Sequence, residues 1–374
     1  MRIVVAPDKF KGSATAAEAA HAIAAGLRAG RPDLDVVELP VADGGDGTVA
    51  AAVGAGFSPV QVRAAGPTGA PVQATFAVRG STAVIELAEV VGLRQLPGGE
   101  LAPLTASTYG LGQVIAAALD AGVGTIVLGI GGSASTDGGA GMLQALGALL
   151  TDRQGRSLGP GGAALSELAR IELAGLDRRL ADVRFLVASD VDNPLLGRSG
   201  AAAVFSPQKG ASPAQAALLE RALARWAELT ASATKLDLAA APGVGAAGGA
   251  GFAALAYLGA ELLPGIELVL ELIGFDAALT GAGLVITGEG RLDAQSLSGK
   301  APVGVARAAA RHGIPVAAVA GQVLLTDAEL AAAGFAAAFS LVEIEPDPAV
   351  SIASAGSLLE LIGRQIAASG LVVA

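Results

Sequence analysis

The spacing of apolar residues predicts alternating strands and helices at both ends of the chain. Residues 2–7 and 35–41 are short apolar runs rich in valine, each typical of a buried strand. A helical pattern covers residues 15–29, with Glu18 in its first turn, and another helical stretch ends near residue 56. The same alternation returns towards the C-terminus, with three strands and three helices. These strands are 284–287, 315–320 and 336–342, and these helices are 301–312, 326–333 and 357–368.

The middle of the chain has a different pattern. Residues 59–94 alternate apolar and polar side chains between turn signals, which predicts antiparallel hairpins. The uncharged residues 238–260 contain six glycines and Pro242, so they indicate a glycine loop and a buried helix rather than a membrane span. Further predicted elements are helices at 107–120, from 139 and at 213–229, and strands at 125–129 and 184–189.

These elements predict an α/β protein of two domains. Two strands before the interruption and three after it complete a five-stranded, flavodoxin-like parallel sheet built from both chain ends. This discontinuous domain comprises residues 1–59 and 283–374, and a second, mixed α/β domain, residues 60–282, is inserted into it. Such sheets bind ligands outside the carboxyl ends of their strands, so we expect the active site in the cleft between the domains.

Composition narrows the chemistry. Cysteine is absent, and the only histidines are His21 and His312, interpreted as a surface residue and a helix cap. Acid–base work therefore falls to Asp, Glu and Lys, and the expected metal is a hard one, Mg²⁺ first. A net charge of −10 and an aromatic content of 3% argue against nucleic-acid binding. No secretory segment fits the N-terminus, so we expect a cytoplasmic protein with no membrane partner, either monomer or homodimer.

Four segments place carboxylates beside glycines or turns where predicted strands end. Glycine lets the backbone approach a ligand, and a carboxylate beside it can hold a cation or accept a proton. A plain turn is the alternative interpretation of the segments at Asp43 and Asp190, and a surface salt-bridge cluster is the alternative for the segment at Glu289. The four carry Asp43 and Asp46; Gly131, Gly132, Ser133 and Asp137; Asp190, Asp192 and Asn193; and Glu289, Arg291 and Asp293.

The second segment also fits a loose dinucleotide-binding pattern, Gly129-Ile-Gly131-Gly-Ser-Ala134, after a strand and before a helix. The acid expected about twenty residues later would be Asp152, which lies in a turn-like stretch. Hydroxyls and amides ahead of a helix suit phosphate better, so a nucleoside triphosphate or a phosphorylated product is favoured over NAD. Lys9 and Lys11 follow the first strand and suit an anionic substrate, while no phosphate-loop motif of the Walker type is present.

In order along the chain, these segments resemble the bacterial glycerate kinase family, of the type with a flavodoxin-like domain and an inserted domain. The departures are small: Asp46 stands where Glu is common, and Gly283 where an acidic residue often lies. The matching stretches are Ala6-Pro-Asp-Lys-Phe-Lys-Gly-Ser13, Ala42-Asp-Gly-Gly-Asp-Gly-Thr48, Gly131-Gly-Ser-Ala-Ser-Thr-Asp-Gly-Gly-Ala-Gly-Met142, Ala188-Ser-Asp-Val-Asp-Asn-Pro-Leu-Leu-Gly197, Phe205-Ser-Pro-Gln-Lys-Gly210, Gly245-Ala-Ala-Gly-Gly249 and Leu284-Val-Ile-Thr-Gly-Glu-Gly-Arg291.

The resemblance implies ATP-dependent phosphorylation of D-glycerate with Mg²⁺, giving 2-phosphoglycerate. Phosphorylation of the 3-hydroxyl, or of another small hydroxy acid, is the main alternative. An NAD-dependent dehydrogenase and a non-catalytic metabolite-binding protein also stay open. The expected partners are therefore small molecules, D-glycerate and ATP.

Loop placement suggests roles for individual residues. We expect Asp190 to be the general base, with Asp192 as the second candidate and Lys11 as a further catalytic residue. Mg²⁺ would be held by Asp192 or Asp137. The expected substrate-binding residues are Lys9, Asp43, Asp46, Glu289 and Arg291, and the expected ATP-binding residues are Gly131, Gly132, Ser133, Asp137, Asn193 and Lys300.

Overall fold

The structure is a computed structural model, and it describes residues 1–372, apart from the side chain of Ser298. The strands are β1 (Arg2–Val5), β2 (Asp35–Glu38), β3 (Ser58–Ala65), β4 (Pro71–Arg79), β5 (Thr82–Glu86), β6 (Thr125–Gly129), β7 (Leu149–Thr151), β8 (Arg170–Glu172), β9 (Arg184–Ala188), β10 (Glu261–Leu263), β11 (Ala282–Leu292), β12 (Val316–Val323) and β13 (Phe335–Ser340). The α-helices are α1 (Ala16–Gly30), α2 (Thr48–Gly54), α3 (Ala88–Val91), α4 (Tyr109–Asp120), α5 (Ala140–Ala145), α6 (Ala201–Phe205), α7 (Pro213–Thr234), α8 (Ala246–Leu258), α9 (Gly265–Leu272), α10 (Phe275–Ala278), α11 (Ala301–Ala310), α12 (Asp327–Ala332), α13 (Leu341–Ile344), α14 (Pro348–Ala353) and α15 (Ala355–Ala368).

The chain divides into two compact units. The terminal unit consists of Met1–Asp43, Ala50–Gly56 and the residues from Ile266 onwards. The central unit consists of Gly44–Val49 and Phe57–Gly265. Each unit has its own sheet and its own apolar core.

The terminal unit contains a parallel sheet in the order β13-β12-β11-β1-β2. Numbered within this sheet, that is the 2-1-3-4-5 order of the flavodoxin type, so the predicted fold class is confirmed. Successive strands are added to one side of β1 first and to the other side afterwards, so the strand order reverses at the β1–β11 pair, where Val4 lies opposite Val285. Alternate residues of the central strands enter separate apolar clusters: Val4 and Val285 contribute to one, and Ile3 and Leu284 to the other. Both faces of the sheet are therefore buried, as expected for parallel strands.

Helix α1 shows how local sequence determines an element of this unit. Thr15 caps the helix in a reciprocal capping box with Glu18. Ile23 and Leu27 are fully buried on its inner face, and α1 packs closely against α15. Gly26 allows this approach, because a Cβ there would clash with the backbone of Glu360 and Gly363.

Strand β11 is longer than the sequence pattern predicted. The expected strand ended at residue 287, with the acid–glycine segment as a loop, but β11 continues to Leu292 and pairs with β12 as far as Val323. Glu289 and Arg291 therefore lie within a strand, which corrects their predicted placement in a loop.

The central unit contains a mixed sheet in the order β10-β9-β6-β5-β4-β3. The pairs β3–β4 and β4–β5 are antiparallel, which confirms the predicted hairpins, whereas β5, β6, β9 and β10 run parallel. The last part of the predicted hairpin region is instead helical, because α3 follows β5 directly. Most inward-facing residues of this sheet belong to one core cluster that also contains Trp226 of α7.

Residues 238–260 contain the predicted glycine loop and buried helix, α8. Among residues 1–372, no helix is long and apolar enough to cross a membrane. The antiparallel pair β7–β8 and helices α9, α10 and α14 were not predicted from the sequence.

Candidate functional site

Four charged residues gather at the carboxyl edge of the terminal sheet, and we refer to them as the edge cluster: Asp8, Lys9, Asp43 and Glu289. Asp8 and Lys9 follow β1, Asp43 follows β2, and Glu289 lies in β11. The Lys9 Nζ lies 3.5 Å from an Asp8 carboxylate oxygen and 3.9 Å from an Asp43 carboxylate oxygen. The cluster therefore occupies the edge beside the β1–β11 switch point, where flavodoxin-like sheets bind ligands.

Burial changes the acidity of two members of this cluster. Removal of Asp8 from water raises its pKa to about 7; Lys9 opposes this shift, and the neighbouring carboxylate of Asp43 adds to it. Burial also raises the pKa of Glu289, although the Ser296 hydroxyl donates to its carboxylate at 2.5 Å. Asp8 was not predicted as a site residue, because only the two lysines of this segment suggested a function in the sequence. A carboxylate directly after a buried strand and a proline was the available signal.

The remaining predicted residues of the terminal unit are more exposed. Arg291 is mostly exposed, and its Nε lies 3.3 Å from a carboxylate oxygen of Asp293. Lys300 is the residue before α11, and its charge acts on Glu289. Lys11 is exposed in the turn after β1. All three cations are thus accessible to an anionic ligand.

The two histidines lie near carboxylates. His21 Nδ1 is 3.3 Å from Glu38, and His312 Nε2 is 3.2 Å from Asp276. Both side chains are more than a third exposed, so their geometry matches the surface and cap interpretations.

In the central unit, the loop after residue 43 is held by side chains from two other segments. Asp46 forms an ion pair with Arg94 at 2.5 Å. The buried Glu86 carboxylate accepts hydrogen bonds from the backbone N–H groups of Gly47 at 3.1 Å and Val49 at 3.2 Å. Burial raises the pKa of Glu86 to about 7. Sequence reasoning missed both Arg94 and Glu86, because neither lies in a glycine-rich motif.

The glycines of the 131–137 loop, residues Gly131 to Asp137, pack closely against this same segment. A Cβ on Gly131 would lie 2.6 Å from the Gly45 Cα, and one on Gly132 would lie 2.8 Å from an Asp46 oxygen. The helix that follows the loop, α5, has only six residues, so its dipole offers little to a phosphate. These glycines have a packing role whether or not they bind a nucleotide.

Asp137 ends this loop as a buried acceptor. Its Oδ2 accepts from the Thr108 N–H at 2.7 Å and from the Thr108 hydroxyl at 2.9 Å. Ser107 and Gly141 also donate to Oδ2, and Gly139 donates to Oδ1. Only 1% of the residue is exposed, and its two carboxylate oxygens together accept five hydrogen bonds from the protein. Asp137 is therefore a structural acceptor that holds the end of this loop.

The loop also receives a buried lysine that sequence reasoning did not assign to the site. Lys209 is only 2% exposed, and its Nζ donates to the Ser133 hydroxyl at 2.7 Å and to the Ser135 carbonyl. Burial lowers the pKa of Lys209 to about 7, and the charge of Asp137 opposes this shift. Its segment, residues 205–210, matched the family pattern, but the lysine is distant in sequence from the loop that it contacts.

The acids after β9 are accessible. Asp190 is exposed, and its Oδ1 accepts from the Gly265 N–H at 2.7 Å, which orients the carboxylate. Asp192 is also exposed. The side-chain amide of Asn193 donates to the Ser199 backbone carbonyl at 2.7 Å, while the backbone carbonyl of Asn193 accepts from the Gly245 N–H.

The fit of a metal ion can be tested on these side chains. Within residues 1–372, no group of three or more His, Cys, Asp or Glu side chains is arranged to hold a metal. Mg²⁺ in phosphoryl-transfer sites needs only one or two carboxylates, since phosphates and water complete its shell. The exposed Asp192 fits that requirement, whereas the five donors to Asp137 disfavour it as a ligand.

Comparisons with known proteins agree over almost the whole chain. The model of the glycerate kinase family matches residues 3–370. A glycerate kinase from Bacillus subtilis (strain 168) is 45% identical over 99% of this chain and 97% of its own length. A glycerate 2-kinase from Escherichia coli (strain K12) is 46% identical, over 87% of this chain and 86% of its own.

A solved structure gives the same result. The crystal structure described as a glycerate kinase 2 from Salmonella typhimurium LT2 superposes with a TM-score of 0.85 at 44% identity. The match covers 98% of this chain and 97% of that one. The chain therefore belongs to the glycerate kinase family and is a kinase, a phosphotransferase with an alcohol acceptor.

Proposed function

We propose that this kinase transfers the γ-phosphoryl group of ATP to D-glycerate and forms 2-phosphoglycerate. The observation that carries the proposal is the 46% identity to the Escherichia coli protein named glycerate 2-kinase. The Salmonella structure, described as a glycerate kinase 2, supports the same regiochemistry. A cytoplasmic location and the oligomeric state stay predictions.

The charged residues of the terminal unit suit a small anionic substrate. Glycerate carries a carboxylate, and Lys9, Lys11 and Arg291 supply cations at the carboxyl edge of the sheet. Asp43 and Glu289 lie in the same region, where they can accept hydrogen bonds from the two hydroxyl groups. Burial, which raises the pKa of Asp8 to about 7, reduces the negative charge that an incoming carboxylate meets.

We assign the general base to Asp190. Phosphoryl transfer needs an acid that accepts the proton of the attacking hydroxyl, and this requires an accessible carboxylate in a fixed orientation. Asp190 is exposed and is oriented by the Gly265 N–H. Asp192, two residues later, is the better candidate for Mg²⁺, which neutralises charge on the phosphate oxygens when it is bound with ATP.

A coupled assay tests the reaction. The purified protein is incubated with ATP, Mg²⁺ and D-glycerate, and ADP release is followed with pyruvate kinase and lactate dehydrogenase. L-glycerate, glycolate and lactate serve as control acceptors. In a separate assay, enolase without phosphoglycerate mutase is added to the products, and phosphoenolpyruvate is measured by its absorbance.

The outcomes separate the alternatives. Release of ADP together with phosphoenolpyruvate supports formation of 2-phosphoglycerate, because enolase acts only on the 2-phospho isomer. Release of ADP without phosphoenolpyruvate would favour the 3-phosphorylated product. If no hydroxy acid stimulates ADP release, glycerate kinase activity is not the function of this chain.

A further inference from the structure

Lys209 is a buried lysine with two neutral hydrogen-bond acceptors, and the charge of Asp137 also acts on it. It ends the short 3-10 turn Pro207–Lys209, and Gly210, in the left-handed conformation, redirects the chain immediately afterwards. The Nζ donates to the hydroxyl of Ser133 and to the carbonyl of Ser135, which lie more than 70 positions earlier in the sequence. Removal of an ammonium group from water costs several kcal/mol, and the two neutral acceptors and the charge of Asp137 offset part of that cost.

The contact between Lys209 and Ser133 changes what the serine can do. Its oxygen already accepts from the ammonium at 2.7 Å, so its own hydrogen is the one to donate to another group. A hydroxyl that accepts from a cation is a stronger donor, because hydrogen bonds in a chain polarise one another. Ser133 is the third residue of the 131–137 loop and is itself predicted to bind the nucleotide.

The next two residues of the loop give an independent observation. The hydroxyls of Ser135 and Thr136 are fully buried, and neither has a hydrogen-bond partner among the described residues. Buried hydroxyls are ordinarily paired, and leaving one unpaired costs about 1–3 kcal/mol. The loop therefore combines a polarised hydroxyl with two unpartnered ones between its glycines and Asp137.

We propose that Lys209 is a positioning residue for nucleotide binding: it fixes the 131–137 loop and, through Ser133, strengthens a donor to a phosphate oxygen of ATP. This inference rests on the proposed function, since it assigns the phosphate chain of a nucleoside triphosphate to this loop. The Nζ of Lys209 already donates to Ser133 and Ser135, so Lys209 acts through the serine. Asp137 holds the other end of the loop through its bonds to Thr108.

A double-mutant cycle tests the coupling. The variants are K209M, S133A and the double variant K209M/S133A, and the exposed Lys235, which donates to the Ser232 carbonyl, supplies the control K235M. Affinity for ATP is measured by calorimetry without glycerate, and the kinetic constants for ATP and D-glycerate are measured separately. We expect K209M to weaken ATP binding about 10- to 100-fold, with the KM for D-glycerate changed less than about threefold, and K235M to match wild type.

Non-additivity identifies the route. If Lys209 acts through Ser133, the double variant binds ATP little more weakly than the weaker single variant. Multiplication of the two single effects would show that the residues act independently, and would overturn the inference. An unchanged ATP affinity in a folded K209M would overturn it too, even if its thermal midpoint falls.

A second lysine variant guards against misfolding. Lys209→Gln keeps an amide that can donate to Ser133, so we expect ATP affinity between those of wild type and K209M. If K209M does not fold, the same cycle is run with K209Q and S133A. Failure of the proposed function looks different, because the wild-type protein itself would then not phosphorylate D-glycerate.

Discussion

Asp8 is a carboxylate that folding buries beside a lysine, and its protonation state should control stability. Burial raises its pKa from an ordinary value of 3.8 to about 7. The folded state therefore holds the proton more tightly than the unfolded state between these values. The resulting stabilisation is complete below about pH 4, declines as the pH rises, and is lost above about pH 7.

We expect Asp8→Asn to remove this pH dependence. At pH 8 the variant should be more stable than wild type by on the order of 2–4 kcal/mol, since one pKa unit corresponds to about 1.4 kcal/mol. The difference should shrink towards pH 4. Urea denaturation at pH 4.5, 6 and 8 measures it, with the exposed Asp237→Asn as control. A gain at pH 8 that persists unchanged at pH 4.5 would contradict the assignment to Asp8 ionisation.

Asp190 gives a prediction about catalysis rather than stability. Asp190→Asn keeps the size of the side chain and an oxygen that can accept from Gly265, so the fold should be retained. Loss of the proton acceptor should lower kcat about 100- to 10,000-fold, the usual range for general acid–base catalysis. The ADP-release assay measures turnover, and Asp237→Asn is again the matched control. Near-normal kcat in Asp190→Asn would move the base to Asp192 or Asp8.

The sequence pattern indicates which residue types are candidates for the site, but it does not predict whether their side chains are buried or which residues they contact. The acid–glycine pattern indicated Asp43, Asp190 and Glu289 as candidate site residues, and these assignments stay predictions. Whether a carboxylate is buried, as with Asp8 and Glu86, depends on which distant segments cover it. The contact between Lys209 and Ser133 could not be predicted for the same reason, because it joins residues 76 positions apart.

At the scale of elements, the close packing of α1 on α15 depends on one glycine. A Cβ at Gly26 would clash with the Glu360 carbonyl, which is backbone and cannot rotate away. We expect Gly26→Ala to lower the free energy of unfolding by about 1–3 kcal/mol, the usual cost of overpacking. Gly356 in α15 has no atom near its missing Cβ, so Gly356→Ala should be neutral or stabilising by up to about 1 kcal/mol. Thermal denaturation of both variants decides the matter, and equal effects would contradict the packing argument.

Long amphipathic helices and the buried strands β6 and β9 were predicted closely, whereas β10, α9 and the end of β11 were not. The predicted helix 15–29 differs by one residue from α1, because a capping box and a regular apolar face mark it. β10 and α9 are two short neighbouring elements that are both rich in apolar residues. Periodicity alone cannot separate a short strand from a short helix, so neither was predicted. The end of β11 was missed because glycines and charges resemble a loop, although pairing with β12 extends the strand.

At the scale of the whole molecule, connectivity makes the two units unequal as folding units. The terminal sheet pairs β1 with β11, so Val4 must find Val285 across 281 positions of sequence. The central sheet is completed within residues 58–263, and its core cluster lies entirely in that range. The order of apolar runs allowed this discontinuous arrangement to be predicted, because a parallel sheet needs partners for strands at both chain ends.

We therefore expect a fragment of residues 44–265 to fold by itself, and a fragment of residues 1–56 to remain unfolded. The longer fragment keeps the complete six-stranded sheet and the bonds from Gly47 and Val49 to Glu86. The shorter one keeps only β1 and β2 of the terminal sheet, and two strands without their partner β11 cannot bury an apolar face. Circular dichroism during heating should show a cooperative transition for the first fragment and none for the second. A gradual, non-cooperative change in the 44–265 fragment would mean that its core needs the terminal segments, and that the chain folds as one unit despite its two cores.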